Sequence, residues 1–291
     1  MNILVEALRI SGIWVFPIIM SIGLLFLCFV VWCVLALMKK NPNPLIVLVP
    51  LCLIPLASVL GIATGMSDID AALEMITESE MKIVLMAKGV SIVLYLSAFL
   101  GAFVPVAMLC IGISIIPAML QEQKDKTLPL ISGGCYFLVS ALSALILLKM
   151  MNPVPLIVAV SLLIMTALAC ISRSEQGGSR IALVATTLSG TAFITVLISV
   201  IAISEIMVFE ALATTEEAVK GVIMSMGKGQ VETLQMYGIP AALVAFLPAY
   251  VTAFQQQNRV LYLVMVSIVL MCFSLLLFYP NTSAVLDQFP K

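Results

Sequence analysis

Glu205 and Glu232 are carboxylates set in or beside apolar sequence, where such a group can take up and release a proton. Glu232 falls in G-Q-V-E-T-L at 229–234, just ahead of an apolar run. Its other reading is a hydrated glutamate on an outer amphipathic segment, paired with Lys228 one helical turn earlier. Glu205 lies within the apolar run 181–209, a little over one turn before Glu210. Facing other helices it would be a functional group; if the helix ended near Ser204 it would only begin an acidic loop. Hydroxyls that could hydrate a path to these acids are Thr64, Ser91 and Ser97, and then Thr187, Thr191, Thr195 and Ser204. Thr187, Thr191 and Thr195 share one helix face, a spacing that serves equally to pack helices and bond backbone carbonyls. Lys88 and Lys228 sit in two K-G elements and could meet a partner or a lipid head group, or could snorkel at the interface.

Other chemistry has little to work with. The chain has no histidine, which removes the commonest metal ligand and acid–base group. Its seven cysteines all fall in apolar runs and show no C-x-x-C spacing, the habit of buried free thiols. No nucleophile–base pair stands out, so neither an enzyme nor a metal or other cofactor is expected. No basic patch suits a nucleic acid, and the net charge of −1 says nothing about partners.

The elements that must position these residues are membrane helices. The 291 residues are 63% hydrophobic and 10% charged, with a mean hydropathy of +1.22, unlike a soluble domain. Apolar runs near the roughly 20 residues that cross a bilayer occur at 12–38, 44–66, 83–120, 128–150, 154–171, 181–209, 238–254 and 260–279. They are continuous, unlike the alternating segments of a barrel. The expected fold is all-α: a polytopic transmembrane bundle of about eight spanning helices, one membrane domain over residues 1–291, with the lipid bilayer as its first partner. The run 83–120 is too long for one simple crossing, and Pro105 and Pro117 are its kink candidates. The start lacks a basic n-region, so the first helix is expected to be retained. Residues 1–10 suit a short amphipathic surface helix.

Basic residues follow alternate runs: Lys39 and Lys40, Lys124 and Lys126, Arg173 and Arg180, and Arg259. The positive-inside bias places those gaps in the cytoplasm. The acidic gaps, Asp68 to Glu80 and Glu210 to Glu217, then share the outer side. Around those gaps, 58–105 and 199–248 have one layout: apolar run, acidic segment, K-G element, and an apolar run closing on A-F-V-P or A-F-L-P. We read a parallel internal repeat with halves 11–126 and 127–291. N-P-N-P-L-I-V at 41–47 and N-P-V-P-L-I-V at 152–158 would fit an inverted repeat or convergence of turn chemistry.

G-I-W-V-F-P-I-I-M at 12–20, L-G-I-A-T-G-M at 60–66, A-K-G-V-S-I-V-L at 87–94 and S-A-F-L-G-A-F-V-P at 97–105 resemble, in order and spacing, motifs of the MotA/TolQ/ExbB proton-channel family. The resemblance covers roughly residues 11–115. It implies a bacterial-type inner-membrane subunit of an energy-transducing complex, a homo-oligomeric ring around single-span partner helices, driven by proton-motive force. A degenerate relative would serve as a scaffold. The chain departs from the family at the polar positions: one usual threonine falls at Ile62, the glutamate at Ile92 and the later threonine at Ser97. In the second copy Glu232 falls on the glutamate, so the resemblance implies that Glu232 carries the proton, with Thr195 and Ser204 hydrating its path and Ser97 helping. The alternative function is a secondary transporter with its site between the two repeats.

Overall fold

The computed structural model describes residues 12–38, 40, 42–76, 79–120, 180–215 and 217–278. The spans expected at 128–150 and 154–171, the second N-P-x-P turn and the boundary between the halves lie outside them. Every element is a helix among the described residues. After a 3-10 turn at Gly12–Trp14 come α1 (Val15–Leu37), α2 (Leu45–Glu74) and α3 (Ser79–Phe99). A second 3-10 turn, Leu100–Ala102, leads to α4 (Phe103–Leu120). Then follow α5 (Arg180–Thr214), α6 (Glu217–Phe254) and α7 (Arg259–Phe278).

Five stretches are long and apolar enough to cross a membrane: Val15–Leu37, Leu45–Glu74, Val84–Ile111, Ala182–Thr214 and Arg259–Leu277. A shorter apolar helical stretch, Ala242–Phe254, occupies the end of α6. The chain is a multi-pass helical membrane protein. The long 83–120 run is broken at Leu100–Ala102, and Pro105 accounts for the break. It has no N–H to offer the Gly101 carbonyl, and its ring crowds that carbonyl, so the turn before it tightens. α4 continues through Pro117.

α5 is the central helix, packed against α3, α4, α6 and α7. In its most apolar stretch 89% of the residues are buried, against 33% in α1 and α7, which hold the periphery. Core aromatics fill the space between helices, with Phe29 and Trp32 from α1, Phe103 from α4, Phe193 and Phe209 from α5, Phe246 from α6 and Phe273 from α7 all fully buried. Where hydrocarbon surrounds the bundle, such close packing rather than water exclusion holds helices together.

Small residues set the close approaches. A Cβ on Gly190 of α5 would stand 2.7 Å from the Ala245 carbonyl oxygen of α6. One on Gly227 of α6 would meet Val208 of α5 at 2.6 Å. In the G-x-x-x-G of α2, a Cβ on Gly61 would meet Leu96 at 3.0 Å, and one on Gly65 would meet Val93 at 2.6 Å. Sequence number rises on one helix as it falls on the other in both sets, so α2–α3 and α5–α6 are antiparallel hairpins.

The two hairpins lie side by side through α3 and α5. Ser199 donates to the Ser97 carbonyl at 3.4 Å, and Tyr95 donates to Glu210 at 3.0 Å. Those pairs make α3 and α5 antiparallel as well. The C-terminal ends of α2 and α5 therefore share one end of the molecule, with Asp68, Asp70, Glu74 and Glu210 near them. The turn before α2 and the turn before α7 meet at the other end, where the Tyr262 hydroxyl donates to Asn43 Oδ1 at 3.2 Å. Asn43 Oδ1 also accepts the Leu45 N–H at 3.1 Å, which starts α2 out of the N-P-N-P turn.

One correction concerns the acidic segments. They are helical rather than open loops, since Asp68, Asp70 and Glu74 lie in α2 and Glu205 and Glu210 in α5. With 30 residues in α2, 35 in α5 and 38 in α6, these helices run about 45, 52 and 57 Å at about 1.5 Å per residue. All three exceed a bilayer core of about 30 Å. The charged residues gather at the acidic-turn end, so the excess length belongs there.

Candidate functional site

The helix does not end near Ser204. α5 runs on to Thr214, and Glu205 is inside it, 2% exposed. It is the buried acid among the described residues. Beside it is a small cavity of about 10 Å³, room for about one water. Leu94 and Ser97 of α3, Ile198, Ile201, Ala202 and Glu205 of α5, and Leu276 and Leu277 of α7 line it. Of these lining residues, Glu205 and Ser97 are the two with polar side chains. Ser97 is 2% exposed, and its Oγ has no hydrogen-bond partner. A buried hydroxyl left unsatisfied is costly, and a water in the cavity would satisfy it.

Glu232 is elsewhere. It lies between Gly227 and Gly238 of α6, which face Val208 and Ile201 of α5, so it stands at about the level of Glu205. It is exposed, on the outer side of α6. The two candidate acids thus occupy one level, one turned into the bundle and the other away from it.

The remaining hydroxyls divide by their hydrogen bonds. Thr187, Thr191, Thr195 and Ser204 are all buried on α5. Each donates to a carbonyl of its own helix: Thr187 to Leu183 and Thr191 to Thr187 at 2.7 Å, Thr195 to Ala192 at 2.7 Å, and Ser204 to Val200 at 2.9 Å. None of the four lines the Glu205 cavity. Thr64 is exposed on α2 and donates to the Leu60 and Gly61 carbonyls at 3.0 Å. Ser91 is buried and donates to the Lys88 carbonyl at 2.8 Å. Lys88 is exposed on the outer part of α3, and Lys228 is on α6 at the same end.

One participant went unnoticed in the sequence, Tyr95, and its partner Glu210 was read only as part of an acidic gap. Tyr95 is 5% exposed, yet its hydroxyl reaches the exposed Glu210 carboxylate. These partners are 115 residues apart, and no local spacing announces such a pair. Among the described residues no group of three or more histidine, cysteine, aspartate or glutamate side chains is placed to hold a metal.

Fold and site together define a multi-pass α-helical membrane protein with a buried carboxylate at a water-sized cavity. No family model matches the chain, and no curated protein or solved structure matches it.

Proposed function

We propose that this protein is an ion-handling subunit of the inner membrane, in which Glu205 takes up and releases a proton. The observation that supports this is the burial of the Glu205 carboxyl on the central helix, beside a cavity with room for about one water and an unsatisfied Ser97 hydroxyl. Ionisable groups inside membrane domains are costly and are functional by default. A water between Ser97 and Glu205 would give the proton its next acceptor.

The motif resemblance to MotA/TolQ/ExbB proteins extends the reading to a homo-oligomeric, energy-transducing complex with a single-span membrane partner. On this reading the assignment of the proton moves from Glu232 to Glu205. Glu232 and the exposed Lys88 are left to face a partner or head groups. The parallel repeat is part of the proposal too, and the two hairpins with acidic turns at one end favour it over an inverted one.

A secondary transporter would also place its site between the repeats, and the cavity lies between α3 of one hairpin and α5 of the other. The small size of this cavity supports the proton reading instead. Sites for organic ligands run to about 300–1,000 Å³, whereas this cavity has about 10 Å³. The test is proton flux into liposomes carrying the wild type or Glu205→Gln. The proposal expects flux in the first and its loss in the second; equal flux in both would sink it.

A further inference from the structure

α7 begins at Arg259 and buries one face, which carries Tyr262, Val266, Val269 and Phe273. Along the opposite face runs an open groove of about 350 Å³, lined by Val260, Leu263, Val264, Ser267, Ile268 and Met271. These residues recur at helical spacing, so the groove follows the helix axis from its first turn. From Val260 to Met271 it is about 16 Å long at about 1.5 Å per residue. That is half of a bilayer core of about 30 Å, the depth of one leaflet. α6 supplies one edge. Ser267 donates to the Leu263 carbonyl at 2.7 Å, which leaves the Tyr250 hydroxyl of α6 as the donor in its 3.2 Å bond to Ser267 Oγ. One turn beyond Tyr250 on α6, Phe254 stands at the groove's mouth with Arg259 over its ring, Cζ 5.5 Å from the centroid.

The mouth is positive and has no counter-charge beside it among the described residues. Arg259 is exposed, and every described aspartate and glutamate lies at the Glu205 level or nearer the acidic turns, toward the other end of the bundle. Stacking on Phe254 uses the face of the guanidinium and leaves its N–H edge free, the edge that grips a phosphate through two parallel bonds. The groove below suits a hydrocarbon chain better than another helix. Helices that pack closely in lipid meet through small residues and free hydroxyls. This groove is lined by valine, leucine, isoleucine and methionine, and its one hydroxyl, on Ser267, is already bonded twice. We propose that the groove binds one anionic phospholipid, with its phosphate on Arg259 and one acyl chain along α7 from Val260 to Met271. The site is separate from Glu205. α7 reaches that cavity through Leu276 and Leu277, beyond the groove's inner end.

The experiment is native mass spectrometry of the full chain released from nanodiscs of equal parts phosphatidylglycerol and phosphatidylcholine with the same acyl chains. The wild type should retain phosphatidylglycerol about five-fold over phosphatidylcholine, the preference that one arginine near the surface gives. Arg259→Gln should abolish that preference. Val264→Trp fills the groove at an exposed position and leaves Arg259 in place, so it should lower retention of both lipids together. Lys40→Gln is the control. It removes a charge at the same end of the molecule but on the other flank of α7, near the Asn43 that buried Tyr262 meets. It should leave the preference unchanged. Equal retention of the two lipids by the wild type would mean an ordinary lipid annulus only and would overturn the site. A preference that survives Arg259→Gln, or that falls as far in Lys40→Gln, would overturn it too. Retention unchanged in Val264→Trp would remove the acyl chain from the groove.

Discussion

In the α2–α3 hairpin Thr64, Asp68, Asp70, Glu74 and Lys88 all face out, and the positions where the resembled family is polar hold Ile62 and Ile92. In the α5–α6 hairpin Glu210 and Glu232 face out as well, but a long set of polar groups on α5 faces in. Thr186, Thr187, Ser189, Thr191, Thr195, Ser199, Ser204 and Glu205 are buried along one helix. The hairpins share a direction, a length beyond the bilayer and an acidic turn at the same end, yet one is a frame and the other carries an internal polar stripe. Similar chain layout has not produced two similar sites. The Glu205 cavity forms where the two meet, with Ser97 contributed by the frame and Glu205 by the stripe.

Packing differs in the same way, and substitutions can break that comparison. The largest effect is expected at Gly190, where a methyl would meet the Ala245 carbonyl oxygen, which is backbone and cannot step aside. Gly190→Ala should destabilise by about 1–3 kcal/mol, the cost of overpacking, read as a lower midpoint of thermal unfolding in detergent. Gly65→Ala puts its methyl against the Val93 side chain instead. Valine is stiff at χ1 but not immovable, so a loss of about 1 kcal/mol is expected. A larger loss at Gly65 than at Gly190 would reverse the view that α5–α6 is the tighter hairpin.

Smaller effects sharpen it. Thr186 and Thr252 exchange a hydrogen bond at 3.1 Å between α5 and α6. Thr186→Val should cost about 0.6 kcal/mol, the usual worth of such a bond in a membrane protein. Ser97→Ala removes an unsatisfied buried hydroxyl, so unfolding should shift little, within about 0.5 kcal/mol, while proton flux falls. A loss of stability without a change in flux would make Ser97 a packing residue only. Thr64→Val, exposed on the frame, should alter neither flux nor, beyond about 0.5 kcal/mol, stability.

The membrane helices were legible because continuous apolar runs leave the chain no other way to satisfy its backbone in lipid. The G-x-x-x-G at Gly61 and Gly65 and the break near Pro105 were legible too, since each follows from one residue's own geometry. The helices' true lengths were not. Asp68, Asp70 and Glu210 read as the start of loops, but charge on an outward face does not end a helix that a neighbouring helix supports along its length. The choice between Glu205 and Glu232 could not be read either. It depends on the angle each presents around its helix once α5 is surrounded on all sides, and that is settled by partners far away in sequence. The one local clue was that Glu205 interrupts a run otherwise free of charge from 181 to 209.

The account stands or falls on which of two carboxylates at one level of the bundle does the work. Proton flux should be measured in liposomes for wild type, Glu205→Gln and Glu232→Gln, each checked for intact folding. The account predicts that Glu205→Gln abolishes flux and that Glu232→Gln keeps it. Flux that survives Glu205→Gln and is lost in Glu232→Gln would contradict it.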